Sequence, residues 1–335
     1  MPVGTPTASG ARRALGAALA GLLAIGLMQA RGSMSGHAHH GAAAVGDAPI
    51  TERDRTAEPS TPVPPPPVQP AVSRIVAATF YSQAMRTQRA YEIYLPASYE
   101  QAPDRTYPVV YLLHGDGGRV SDWVAFGLQG KMDQAVAGGA PEMIVVMADG
   151  SGHSGDLTDW ANRWDGADPV EQQVIDLVSF VDQTYRTIPD PSTRFIGGLS
   201  SGGFGALNIA LHHQDLFSTA MSFSGFIAAN DPEADPGVFG EDPAVIERNS
   251  PAALVTSQAG AGEIYYVLSA GQRDPYFQHR MAEFSAELDR LGIAHEFHVV
   301  PGGHDGTAWD AGLDFGLAHV AAQIRALSAP PSAAT

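Results

Sequence analysis

From residue 74 onward, short apolar runs alternate with longer amphipathic stretches. "RIVAATFYS" and "RAYEIYLPASY" mix β-formers with polar positions and predict an opening pair of strands, hairpin-like in spacing. Later runs are apolar nearly throughout: "YPVVYLLHG", "PEMIVVMADG", "TRFIGGLS", "FSTAMSFSG", "GEIYYVLSAG" and "AHEFHVVPGG". A strand buried on both faces reads this way, whereas a half-exposed strand shows strict alternation. Helical periodicity fills the gaps near 121–138, 170–186, 201–213, 276–291 and 307–327. Strands alternating with helices predict an α/β fold, a mostly parallel central sheet with helices on both faces. The stretch 226–262 is acidic, proline-bearing and irregular, placed where a cap or rim could grow.

Residues before 74 follow no such period. Arg12 and Arg13 precede the uncharged stretch Ala14–Ala30, a basic then apolar pattern that predicts an export signal in residues 1–30. The paired arginines match twin-arginine export in part, and a retained anchor is the rival reading. Residues 31–73 carry "HAHHGAAAVGD" and "EPSTPVPPPPVQP" and read as a disordered His/Pro-rich linker. One folded catalytic domain is expected over 74–328, with a disordered tail at 329–335. The expected location is secreted or attached to the cell envelope.

Charge and cysteine content narrow the chemistry. The formal charge is −17, and Lys131 is the single lysine of the 335 residues, so nucleic acid is excluded as a partner. No cysteine is present, which removes disulfides, thiolate nucleophiles and thiolate metal ligands. The carboxylates of "SGHSGDLTDWANRWDGAD" suggest calcium, but their spacing fits no defined loop. Neither a metal nor a cofactor is assigned.

One stretch carries the chemistry. Gly198-Leu199-Ser200-Ser201-Gly202 is a G-x-S-x-G sequence between a predicted strand and a predicted helix, the setting of a nucleophile elbow. Side chains two positions either side of the serine would strike neighbouring backbone, so glycine is needed there. Only Ser200 has glycine at both positions, which selects it over Ser201.

A serine hydroxyl needs a base, and in this architecture an acid and then a histidine follow at later strand ends. His304 follows a buried strand and two glycines in "FHVVPGGHDG". His298 lies inside that strand, His212 and His213 at the far end of the helix after the elbow, and His279 within a helix. Asp274 comes just after "EIYYVLSAG" and suits the acid that fixes the histidine tautomer; Asp305 is too close in sequence to face the His304 ring. The oxyanion donors expected are the backbone N–H groups of Ser201 and of Asp116 in the "HGDGG" loop, with Gly117 next. His114 is expected to order that loop. Trp123, Trp160, Trp164 and Trp309 fall near the same sheet edge and are candidates to line an acyl or sugar pocket.

Together "YLLHGDGG", Asp122-Trp123, "GGLSSGGFGAL", "VFGEDPAVIERNSPAAL" and "PGGHDGTAWDAGL" resemble the esterase D / antigen 85 family of α/β-hydrolases, in the family's order over about 74–327. The resemblance implies an α/β-hydrolase fold and a carboxylesterase or acyltransferase with Ser200, Asp274 and His304 as triad. The acid in "GQRDPYF" is aspartate where the mycolyltransferase branch would carry glutamate, and "HGDGG" is closer to the esterase branch. The leading expectation is a secreted serine carboxylesterase acting on an ester substrate, carbohydrate- or lipid-linked. An acyltransferase moving the acyl group to a sugar hydroxyl is the alternative, and a non-catalytic carbohydrate or wall-binding protein of the same fold is a second.

Overall fold

The computed structural model describes residues 72–258 and 261–329. The predicted signal or anchor, all of the linker but Val72 and Ser73, and residues 330–335 of the tail lie outside them.

The chain opens with β1 (Arg74–Ser82) and β2 (Thr87–Leu95), an antiparallel hairpin in register from Arg74–Leu95 to Ser82–Thr87. β3 (Val109–Leu113) is wholly buried. The predicted helix at 121–138 is two helices, α1 (Asp122–Ala125) and α2 (Leu128–Ala137). Gly127 breaks it, because its left-handed backbone (φ 87°) cannot continue a right-handed helix. Next come β4 (Ile144–Ala148), α3 (Val170–Thr184), β5 (Arg194–Leu199), α4 (Ser201–His212) and β6 (Thr219–Phe223).

The stretch expected to be irregular holds three short helices, α5 (Pro236–Phe239), α6 (Pro243–Arg248) and α7 (Pro251–Ser257). Each starts with proline behind Asp235, Asp242 or Ser250. The two aspartates accept the N–H groups of Gly237 (2.7 Å) and Ala244 (2.9 Å), so proline at the first position and a side-chain cap begin α5 and α6, while α7 starts on proline without a side-chain cap. The chain ends with β7 (Tyr265–Gly271), α8 (Pro275–Leu291), β8 (His295–Val300) and α9 (Gly306–Ser328).

The strands form one sheet in the order β1-β2-β4-β3-β5-β6-β7-β8. β1 and β2 are antiparallel additions at one edge; β4 through β8 run parallel. Side chains alternate between two cores. Tyr111, Ile196 and Leu268 face α3, α4 and α8, whereas Val110, Phe195 and Val267 face α1, α2 and α9. Both faces being covered is why these strands carry no polar alternation. The carboxyl ends of β3, β4, β5, β7 and β8 therefore meet along one edge, where parallel α/β sheets place their ligand sites.

Candidate active site

β5 ends at Leu199, and the chain reverses at Ser200 into α4. Ser200 has φ 54° and ψ −122°, a conformation that side chains avoid and that persists only where the surroundings impose it. A Cβ on Gly198 would meet the carbonyl oxygen of Gly202 at 2.3 Å, and one on Gly202 would meet those of His114 and Leu113 at 2.4 and 2.5 Å. Glycine at both places is thus a packing requirement of the turn. The Ser200 N–H donates to Phe223 O (2.9 Å), tying the turn to β6.

The turn presents the Ser200 hydroxyl to His304. His304 Nε2 lies 2.9 Å from Ser200 Oγ, and His304 Nδ1 lies 2.8 Å from Asp274 Oδ2. Asp274 is 7% exposed and caps α8, its Oδ1 accepting the Phe277 N–H at 3.4 Å. A buried carboxylate on Nδ1 holds the hydrogen there and leaves the Nε2 lone pair facing the hydroxyl. Phe277 stacks on the imidazole, centroids 4.1 Å apart and planes within 18°, and Trp309 meets the ring edge-on at 5.2 Å. These contacts fix the ring plane. Phe277 went unnoticed in the sequence, although "DPYF" puts an aromatic one turn into the helix that Asp274 caps.

The other histidines and Asp305 lie elsewhere. His212 and His213 both bind the Glu171 carboxylate, His279 pairs with Glu283, and His298 binds Glu296 and stacks on Phe315. Asp305 caps α9 through the Thr307 N–H (3.0 Å), and the N–H of Gly303, foremost among the backbone donors around it, holds its carboxyl below the usual range.

On the other side of Ser200, His114 bridges two loops. Its Nδ1–H donates to Gly115 O (2.8 Å), while Nε2 accepts the Gly150 N–H (3.1 Å). Burial lowers its pKa, so the imidazole stays neutral and serves as a cross-link. Asp116 and Ser201 line one pocket of about 110 Å³ with Gly150, Thr158, Asp159 and Trp160. Both residues named for their backbone donors thus border the same space.

The tryptophans divide. Trp123 is 1% exposed within the core under α1 and α2, its Nε1–H donating to Leu113 O (3.2 Å), so it is a core residue and lines no substrate pocket. Trp160 borders the small pocket, while Trp309 stands beside His304. Trp164 is exposed and packs over Gly240 at the start of the short-helix segment. The carboxylates near it hold loops: Asp168 Oδ1 accepts from the backbone of His153 (2.6 Å) and pairs with its ring (2.8 Å). Missing from the sequence reading was Asp159, two residues after Leu157 in "DLTDW", at 5% exposure in the pocket wall.

Comparison with known proteins points the same way. The family model described as "Putative esterase" matches residues 82–320. Esterase Rv1288 of Mycobacterium tuberculosis is 30% identical over 255 residues, covering 67% of this chain and 54% of its own. The chain thus spans about half the length of the curated relatives it matches. A solved ferulic acid esterase superposes with a TM-score of 0.67 at 29% identity, over 75% of this chain and 98% of its own. An S-formylglutathione hydrolase from Agrobacterium tumefaciens has a TM-score of 0.65 at 19% identity, over 76% and 96%, a likeness of fold. With residues 82–320 matched on an α/β-hydrolase fold, the chain belongs to the esterase family.

Proposed function

We propose that this protein is a serine carboxylesterase in which Ser200 attacks the ester carbonyl, His304 moves the proton and Asp274 orients His304. The observation that carries this reading is the unbroken relay from Ser200 Oγ through His304 (2.9 Å) to Asp274 (2.8 Å). Family membership and the ferulic acid esterase likeness support carboxylic esters as the substrate class.

The relay works in two halves. His304 Nε2 takes the Ser200 proton as Oγ bonds to the carbonyl carbon, and the oxygen's charge is met by the N–H groups of Ser201 and Asp116. The tetrahedral adduct collapses, the C–O bond to the alcohol breaks, and His304 returns its proton to the departing alkoxide. Water then repeats the cycle on the acyl-serine: His304 removes its proton, the acid leaves, and Ser200 recovers its hydrogen. The Arg12–Ala30 pattern supports a chain exported before it acts.

The test uses p-nitrophenyl esters from acetyl to long-chain, with the wild type beside Ser200→Ala. Nitrophenol release that falls by about 10⁴-fold or more in the variant supports the reading. Equal rates in the two proteins, or none from a folded wild type, would turn it toward a binding role.

A further inference from the structure

The sheet ends in two edge strands, β1 and β8, and β8 is left open. β8 pairs with β7 on one side, in unbroken register from His295 to Val300. Among the described residues no strand pairs with its other side. Sheets commonly blunt such an edge with proline, lysine or a bulge. The strand "HEFHVV" has no proline or lysine, its register with β7 has no bulge, and Val299 is 53% exposed.

Hydrogen bonds identify the backbone groups that the open side presents. The carbonyl oxygens of Ala294 and Val300 accept the N–H groups of Tyr266 (3.4 Å) and Gln272 (2.7 Å), so the even-numbered residues face β7. Peptide groups alternate along a strand, and those of His295, Phe297 and Val299 therefore point outward. Among the described residues no backbone group hydrogen-bonds to them. The row also has natural ends. Pro301 has no N–H, and the Ile293 N–H donates to Leu288 O (2.9 Å).

This row is self-complementary. A two-fold axis through Phe297 sets β8 antiparallel to a second β8, with Phe297 opposite itself and His295 opposite Val299. All of these residues face outward, so each opposed pair exchanges both of its N–H···O bonds. Glu296 then falls opposite His298 in the pair whose side chains approach closest, and symmetry makes that contact twice. Within one chain Glu296 already pairs with His298 (2.9 Å), so carboxylate and imidazole alternate across the axis. Sliding one strand by two residues loses backbone pairs and sets Glu296 opposite Glu296 or His298 opposite His298. β1 offers nothing comparable: its one charged residue, Arg74, is taken by Glu100.

The flanking helices add surface to the ladder. α8 packs over β7 and β8, so two copies of α8 would lie about two strand spacings apart, roughly 10 Å, a helix-packing distance. On the other face, Phe315 of α9 is 40% exposed and stacks on His298, beside the Glu296–His298 contacts.

We propose that this protein forms a two-fold homodimer by pairing β8 with β8 of a second copy, centred on Phe297, so that the two sheets become one. The surface is separate from the Ser200 site, and the inference does not depend on the esterase reading.

The experiment is sedimentation equilibrium of the full chain from about 1 to 100 µM, with thermal melts to show that each variant is folded. The wild type should fit a monomer–dimer equilibrium in that range. Val299→Pro removes one outward N–H and sets a ring on the open edge, leaving the bonds to β7 untouched, and should leave only monomer. His298→Glu opposes carboxylates across the axis, and Glu296→His opposes imidazoles. Each should weaken the dimer by about tenfold, because two contacts change together. The double exchange, Glu296→His with His298→Glu, restores unlike pairs and should return to within about threefold of the wild type. A wild type that stays monomeric throughout overturns the proposal. So does a dimer that folded Val299→Pro leaves intact, or a double exchange no tighter than the single variants. If Val299→Pro does not fold, the charge exchange decides alone.

Discussion

On the His304 side of Ser200, the working atoms have partners: Nε2 faces the serine, Nδ1 faces Asp274, and Phe277 and Trp309 hold the ring. On the Asp116–Asp159 side, the walls are loop backbone and carboxyls, and Asp159 accepts the Asp235 N–H through Oδ2. In the proposed reaction one proton moves along the line of the first side, and looseness there would cost rate. One side is fixed by side-chain hydrogen bonds and ring packing, the other by strained backbone at Asp159 and Trp160.

Asp274→Asn is the strongest way to break the first side. The amide fits the cavity but presents a donor to Nδ1, favouring the tautomer whose Nε2 carries hydrogen and cannot accept from Ser200. A loss of about 10⁴-fold in kcat is expected with KM little changed. Steady-state kinetics decide it, and a loss under about tenfold would mean Asp274 is only a helix cap.

Gly202→Ala strikes both sides together. Its Cβ would meet the His114 and Leu113 carbonyl oxygens at 2.4 and 2.5 Å, backbone that cannot swing aside. The β3 loop must move, carrying Asp116 with it. Activity should fall by about 10²-fold, with a lower melting temperature. Gly130→Ala is the control: nothing lies within 4 Å of its added Cβ in α2, so a gain of about 0.5–1 kcal/mol is expected. If both variants lose activity alike, the close approach at the elbow is not what matters.

Much of this was legible in the sequence. Buried runs located β3 to β7, because strands covered on both faces have no polar alternation to blur them; β1, β2 and β8 are partly exposed, although the run at β8 reads as buried. The elbow glycines and the order of serine, aspartate and histidine picked out three groups that the fold brings within hydrogen-bond reach. What failed to show was tertiary. Strand order depends on crossovers that no local pattern encodes. Trp123 looked like a pocket residue because Asp122-Trp123 lies beside the "HGDGG" loop, yet its side chain turns inward to Leu113. Asp159 resembled its neighbouring surface carboxylates, since burial of a single aspartate leaves no periodic trace. The short helices did leave one: each begins with Asp-Pro or Ser-Pro, a cap followed by proline, in a stretch whose acidity drew more notice than its spacing.

The Asp116–Asp159 side can be tested without any substrate through Asp159. Burial, helped by the nearby charges of Asp116 and Asp235 and opposed by the Asp235 N–H, pushes its carboxyl up from 3.8 to about 7. The native state therefore holds this proton more tightly than the unfolded chain. Its stabilising effect is present below the unfolded value and is lost as pH rises through the folded one. Between about pH 4 and 7 this one group should lower stability by roughly 1.4 kcal/mol per pH unit, at most about 4 kcal/mol in all. Asparagine carries no such charge, so the melting temperature of Asp159→Asn relative to wild type should climb from pH 5 to pH 8. A difference constant with pH would mean the carboxyl is hydrated and not shielded by its surroundings.

The smallest effect expected is at Phe277, and it tests whether the His304 side is saturated by packing as well as by hydrogen bonds. Its ring lies nearly parallel to the imidazole, 4.1 Å away and 18° from coplanar, and the residue is 6% exposed. When His304 takes the serine proton, the ring becomes a cation over an aromatic face, an interaction worth about 0.5–1 kcal/mol beyond the contact itself. Leucine keeps most of the apolar volume but has no π-face. Phe277→Leu should thus lower kcat by about three- to fivefold and leave KM unchanged, because the cation exists only after proton transfer begins. An increase in KM with kcat constant would move Phe277 from the machinery to the substrate pocket.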